Sequence, residues 1–169
     1  MTRHAILETS LGPITIVATD EAITGLYFQH HIRRPAEETF GVRVEHDDDR
    51  LLGEAARQLD EYLAGTRREF DLPVDAAGDE FQRAVWVVAC EIARGHTRTY
   101  GDIAAELGDR RYAQDVGKAL GANPICVIIP CHRVVAADGS LTGYAGGLKR
   151  KRALLELEAP IAETAGRLF

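Results

Sequence analysis

The chain has no apolar run approaching the ~20 residues that a membrane-spanning helix needs, so no membrane partner is expected. Its start, Met1-Thr2-Arg3-His4, does not lead into the basic-then-apolar pattern of a signal peptide. It has only three cysteines, Cys90, Cys126 and Cys131, an odd number without CxxC spacing. That argues against a disulfide framework or a compact zinc knuckle and suits the reducing cytoplasm. No cofactor-binding motif is present, so neither cofactor nor metal is expected. An excess of positive charge is also missing. The net charge of −6 argues mildly against a nucleic-acid partner.

That charge is unevenly divided. Residues 1–78 carry 8 Lys+Arg against 15 Asp+Glu, a net of −7, and residues 79–169 carry 12 against 11, a net of +1. A DNA-binding face would therefore belong to the second half, with modest affinity and few phosphate contacts. With 169 residues the chain can form one large domain or two small ones. The small polar stretch Asp75–Asp79 marks a boundary, giving an N-terminal α/β domain over 1–78 and a C-terminal domain over 79–169.

In the first half, His4 to Phe28 is strand-like, with Ile14-Thr15-Ile16-Val17 the clearest strand and turns expected at Gly12-Pro13 and Thr24-Gly25. Residues 29–49 are polar and acidic, ending in Glu45-His46-Asp47-Asp48-Asp49. A histidine among carboxylates can bind metal, but a mobile, solvated connection is the commoner outcome. Leu51, Leu52, Ala55, Leu59 and Leu63 follow helical spacing up to Gly65, and Glu69-Phe70-Asp71-Leu72 reads as a short closing strand.

The second half reads as mostly helical. Asp79 can cap a helix that buries Phe81, Val85, Trp86, Val88, Ala89 and Ile92, with Trp86 a core residue. Thr97 or Thr99 opens a shorter helix through Tyr100, Ile103, Ala104 and Leu107. After the turn at Gly108-Asp109, a third helix is expected from about Arg111 to Ala122. Two short helices around a glycine turn can be a helix-turn-helix or an ordinary helical hairpin. Gly121-Ala122-Asn123-Pro124 looks like a helix end, where glycine and asparagine tolerate a left-handed residue and proline forbids continuation.

Ile128-Ile129-Pro130-Cys131-His132-Arg133-Val134-Val135 places a thiol beside an imidazole in an otherwise apolar stretch. Cysteine is a good nucleophile only as the thiolate, and a neighbouring histidine can generate one. A bare Cys-His pair is more often a packed core thiol beside a flanking histidine. Here Asn123-Pro124 lies upstream, and Gly143-Tyr144-Ala145-Gly146-Gly147 downstream offers backbone a close approach to a flat ligand.

These three motifs, in this order and spacing, resemble those of the DNA O6-alkylguanine alkyltransferases (methylated-DNA–protein-cysteine methyltransferases). The likeness runs from about Phe81 to Glu158. It implies an α+β fold: a small N-terminal β-sheet domain with a helix, then a mostly helical domain holding a helix-turn-helix and the active-site cysteine. It further implies repair by direct reversal. The second helix of the pair enters the minor groove of double-stranded DNA carrying alkylated guanine, and the damaged nucleotide is flipped out. The alkyl group then passes irreversibly from O6 to Cys131. The thioether product makes this a single-turnover enzyme for which a monomer suffices. O4-alkylthymine is a second candidate substrate.

The resemblance assigns roles residue by residue. Cys131 is the nucleophile, and His132 is its base, directly or through a water. Glu158 orients His132; without the resemblance it reads as a surface charge on a Leu-Leu-Glu-Leu-Glu helix. Tyr100 donates to the guanine as charge develops, and Asn123 braces the cysteine turn. Tyr144, with Ala145 and Val134, lines the base pocket. Ala113, Gln114, Gly117, Lys118, Arg111 and Arg133 fall among the DNA-contacting positions, although Arg133 can equally form a structural ion pair.

Three departures stand out. Gln114 occupies the place where many members have an intercalating arginine. The usually small next position is Asp115, which would oppose DNA unless Arg110, Arg111 or Lys118 neutralises it. Cys126 replaces a proline near the pocket wall. An alternative reading is an alkyltransferase-like protein that binds lesions without repairing them, and Cys131 counts against it. A cysteine-histidine hydrolase would need an oxyanion hole and turnover, which nothing in the sequence demands.

Overall fold

A computed structural model of the chain describes residues 1–159. The first half is a four-stranded sheet backed by one helix. Strands β1 (Arg3–Thr9), β2 (Gly12–Ala18) and β3 (Ile23–Phe28) form an antiparallel meander. The two-residue β4 (Val42–Arg43) adds in parallel beside β1. Alternation divides the faces. Ala5, Leu7, Ile14, Ile16, Leu26 and Phe28 point to the main core, where they meet Leu52, Ala55 and Leu59 of α1 (Arg50–Leu63). Val17, Tyr27 and Phe40 make a small cluster on the other face.

Thr24-Gly25 is not a turn, as the sequence suggested, but lies inside β3. The chain reverses earlier, where Thr19 N–H bonds the Ala22 carbonyl at 2.9 Å. Gly25 is small for a packing reason, since a Cβ there would stand 2.7 Å from the Tyr27 ring. Residues 29–49 are not a featureless connection either. A short 3-10 turn, Glu37–Phe40, buries Phe40 against Tyr27, the rings stacked at 5.2 Å. The acidic run ends in a helix cap: Asp49 accepts from Leu52 N–H at 3.0 Å and also pairs with Arg3. The strand expected at Glu69–Leu72 does not form. The Gln58 side chain satisfies that backbone instead, donating to the Asp71 carbonyl at 3.0 Å and accepting from its N–H at 2.8 Å.

The second half is helical, as its periodicity indicated. Asp79 and Gln82 form a capping box for α2 (Glu80–Cys90). Trp86 is buried there and donates from Nε1 to the Ala119 carbonyl at 2.8 Å. Thr99 caps α3 (Tyr100–Glu106) reciprocally with Asp102. Arg110–Tyr112 form a 3-10 turn rather than the start of the next helix, which is α4 (Ala113–Gly121). The end of α4 needs no left-handed residue: Ala122 stays at φ −91°, and the positive φ falls later, at Val127 with 73°. Just before α3, β5 (Arg98–Thr99) pairs in parallel with β6 (Val134–Val135), and α5 spans Leu148–Glu158.

The halves share one hydrophobic core, in which Leu26 and Tyr62 pack with Ile125, Ile129 and Leu154. Backbone joins them too, with Leu26 N–H bonding the Pro124 carbonyl at 2.8 Å. No helix among the described residues is long and apolar enough to cross a membrane.

Asp49→Ala should lower stability by about 1–2 kcal/mol, because the cap is lost. The measurement is the urea midpoint, which should fall at unchanged slope.

Candidate active site

Asn123 organises the cysteine turn. Its Oδ1 accepts from Ile125 N–H at 2.9 Å, and its Nδ2 donates to the Ile129 carbonyl and to Cys131 Sγ, each at 3.0 Å. A proline after it removes a donor and ends the helical path. Residues 125–131 then fold back tightly, with Ile129 N–H on the Ile125 carbonyl at 3.0 Å and Cys131 N–H on the Ile129 carbonyl at 2.8 Å. Cys131–Arg133 form one 3-10 turn, in which Cys131 and His132 are buried.

The Glu158 carboxylate receives three side chains. His132 Nε2 lies 2.9 Å from Oε2. Arg133 donates from Nε to Oε1 at 2.9 Å and from Nη2 to Oε2 at 2.8 Å. The Tyr62 hydroxyl, from the first half of the chain, donates to Oε2. Burial by itself would raise the Glu158 pKa, but the bonds from His132, Arg133 and Tyr62 outweigh it and hold the carboxyl far below the usual range. An ionised carboxylate requires the proton on His132 Nε2, which leaves Nδ1 as the basic nitrogen. Nδ1 is buried and has no hydrogen-bond partner. Burial lowers the His132 pKa, with Glu158 opposing, so the ring rests neutral. Burial pushes the Cys131 thiol well up, Cys126 adds to that, and Asn123 opposes.

Tyr144 packs beside this pair, its ring 6.5 Å from that of His132 and its buried hydroxyl unpartnered. The neighbouring Ala145 carbonyl accepts from Ile32 N–H at 2.7 Å. Tyr100 stands at the edge, half-buried, and donates to the Thr142 carbonyl at 2.9 Å. The sequence reading missed Lys151. It is fully buried and donates to the carbonyls of Val134 at 2.6 Å and Thr142 at 2.7 Å. Burial lowers its pKa to about 8, with Cys131 opposing. Val134, given to the pocket lining by the resemblance, is buried, and its carbonyl accepts this lysine. Helical spacing could have found Lys151, since 151, 154 and 158 share one face of α5. No sequence signal pointed to Tyr62, which arrives from a distant helix.

On α4, Gln114, Asp115 and Lys118 are exposed, and Ala113 and Gly117 are half-buried. A Cβ on Gly117 would lie 3.9 Å from the Tyr100 ring, so this helix abuts the site edge. Asp115 has no ion pair among the described residues. Arg110 lies 3.7 Å from Asp102, and Arg111 holds Asp109 at 2.7 Å. Arg133 lies away from α4, on the turn that begins at Cys131. Its guanidinium is committed to Glu158 and to the Ile92 carbonyl at 2.7 Å, because the buried carboxylate needs a cation. Among the described residues, no three His, Cys, Asp or Glu side chains come together as a metal site.

Comparison with known proteins agrees along the whole chain. Residues 2–76 match the family described as 6-O-methylguanine DNA methyltransferase, ribonuclease-like domain, and residues 80–160 match its DNA binding domain. A methylated-DNA–protein-cysteine methyltransferase of Mycobacterium tuberculosis is 40% identical over 171 residues, covering 100% of this chain and 99% of that one. The crystal structure of the M. tuberculosis O6-methylguanine methyltransferase is similar at TM-score 0.83 and 39% identity, covering 98% of this chain and 99% of that one. A structure of the M. tuberculosis protein in complex with DNA is similar at TM-score 0.83 and 38% identity, covering 96% and 98%.

Glu158→Gln should cost about 3 kcal/mol, because Arg133 loses its buried counter-charge. The folded pKa of Glu158 is depressed, so its contribution is full above the unfolded value near about 4.3 and is lost as pH falls below it. Urea midpoints taken from neutral pH into acid should therefore fall less steeply in the variant than in the wild type.

Proposed function

The chain belongs to the 6-O-methylguanine DNA methyltransferase family, and from that membership we propose how its own residues carry the reaction. Its activity is DNA repair by alkyl transfer, as a methylated-DNA–[protein]-cysteine S-methyltransferase, and it binds DNA. The lesion-binding alternative is not favoured.

The acceptor is Cys131, and the substrate is O6-alkylguanine flipped out of duplex DNA. His132 carries the reading: a buried, neutral imidazole held by an ionised carboxylate at one nitrogen, with the other free. The raised thiol pKa keeps Cys131 protonated at rest. On reaction the thiol proton passes to His132 Nδ1, directly or across one water, and Glu158 stabilises the imidazolium. The sulfur lone pair attacks the alkyl carbon, a C–S bond forms and the C–O6 bond breaks. The bonding pair leaves with guanine, which is neutralised by a proton for which Tyr100 is the candidate donor. The thioether is not reversed, so each chain reacts once. Asn123 holds the sulfur in place, and Tyr144 with Ala145 forms the pocket wall.

The helix pair α3–α4 meets DNA, with Gln114 in the flipping position and Ala113, Gly117, Lys118 and Arg111 around it. Arg111 is exposed and can exchange Asp109 for a phosphate. One chain contains every group the chemistry uses, so a monomer suffices.

Cys131→Ser should abolish alkyl gain from an O6-methylguanine oligonucleotide, read by intact mass, while duplex binding persists; a serine variant that accepts the alkyl group at a comparable rate would overturn the mechanism. His132→Ala should slow transfer at neutral pH and recover partly in alkali, where hydroxide replaces the missing base. An unchanged pH–rate profile would remove His132 from that role. Asp115→Ala should tighten duplex binding at low salt and less at high salt, with the rate on free O6-benzylguanine unaltered. Unchanged low-salt affinity would place that carboxylate away from DNA.

A further inference from the structure

The first half of the chain touches the base pocket through a short segment after β3. His31 is buried, and its ring packs against Tyr27 and Phe28 at centroid distances of 5.4 and 6.1 Å. Its Nδ1 accepts from the Phe28 N–H at 3.3 Å. Burial, aided by Arg34 and Arg150, lowers the His31 pKa to about 4, so the ring is neutral at pH 7. A neutral imidazole that accepts at Nδ1 carries its proton on Nε2. That nitrogen lies 3.8 Å from Cys126 Sγ, so the ring donates to the sulfur.

Cys126 sits between two parts of the candidate site. Its thiol lies 4.0 Å from the carbonyl of Asn123, the residue that donates to Cys131 Sγ. The Tyr144 hydroxyl is buried beside the same thiol without a hydrogen bond of ordinary geometry. Tyr144 thus has no polar anchor of its own and depends on what packs around it. The Phe28 ring, 6.3 Å away, is one such neighbour, and the strap from Ile32 N–H to the Ala145 carbonyl is another.

We infer that His31 is a positioning residue for alkyl transfer, which through Cys126 holds the Tyr144 wall of the base pocket in place. The inference rests on the reading that Tyr144 lines the base pocket. A small thiol without a donor on it is free to change rotamer in a buried site. The His31 N–H fixes the sulfur's direction and so the surface that Tyr144 leans on. The segment Phe28–Ile32 then acts on the pocket geometry, not on the nucleophile. Its loss should weaken capture of the base more than it slows the chemical step.

The test uses the full chain and benzyl transfer from free O6-benzylguanine to Cys131, followed by intact mass across ligand concentrations. His31→Leu should raise the half-saturating concentration about tenfold and leave the limiting rate within about twofold, a loss of position rather than of chemistry. His31→Gln should stay close to wild type, because an amide can accept from Phe28 and donate to the sulfur. Cys126→Ala should reproduce the leucine phenotype, and the double variant should be no worse than the worse single one, since both break one link. If His31→Leu does not fold, Cys126→Ala decides alone. An unchanged half-saturating concentration in folded His31→Leu or in Cys126→Ala overturns the inference, and so do multiplicative losses in the double variant. Tyr144→Ala separates the two claims. If it leaves half-saturation unchanged, the pocket reading is wrong. If it shifts half-saturation and His31→Leu does not, only the role of His31 falls.

Discussion

The structure depends on one buried anion. Glu158, at the end of α5, accepts from His132, Arg133 and Tyr62. An ionised carboxylate out of water is costly unless paired and fully hydrogen-bonded. Here the arginine supplies the charge, and the tyrosine and histidine use the remaining lone pairs. The same pairing sets the histidine tautomer, so the requirement that stabilises the fold also leaves a basic nitrogen free. Because Tyr62 comes from α1, the two halves of the chain cannot separate without stripping that carboxylate of a partner.

A second constraint is the turn held by Asn123. One side-chain amide satisfies a backbone N–H and a carbonyl and also reaches the thiol. This compactness keeps Cys131 buried and its thiol protonated. The proposed mechanism therefore forms the thiolate at the moment of reaction. In that proposal a neutral imidazole, itself made hard to protonate by burial, receives the proton with Glu158 behind it.

Helix α4 is held to a different standard. Gln114, Asp115 and Lys118 lie in solvent, where ion pairs contribute little and exchange readily. Arg110 and Arg111 are taken up by nearby aspartates in the absence of DNA. The free protein therefore presents little net charge there, in keeping with a second half that is almost neutral overall.

Local signals in the sequence determine much of this. Capping residues at Asp79 and Thr99, the strand alternation of Ile14–Val17 and the order of the three motifs around Cys131 were legible because each acts over a few residues. So was the family, since its motifs are contiguous. The end of the acidic run at residues 45–49 was not legible as a helix cap, because Asp49 finds its partner, Arg3, only when β1 folds beside it. Glu69–Leu72 was misread because its hydrogen-bond partner is the Gln58 side chain rather than a strand. Arg133 could have faced DNA or a carboxylate, and the buried Glu158 decided which. Tyr62, Lys151 and His31 carried no signal tied to the motifs. Their importance comes from burial, and burial of a polar group is decided by packing between segments far apart in the chain. By itself the sequence determined which residues can do chemistry and in what local frame. Only the tertiary structure decided which polar groups lose water, and that loss sets both their partners and their protonation.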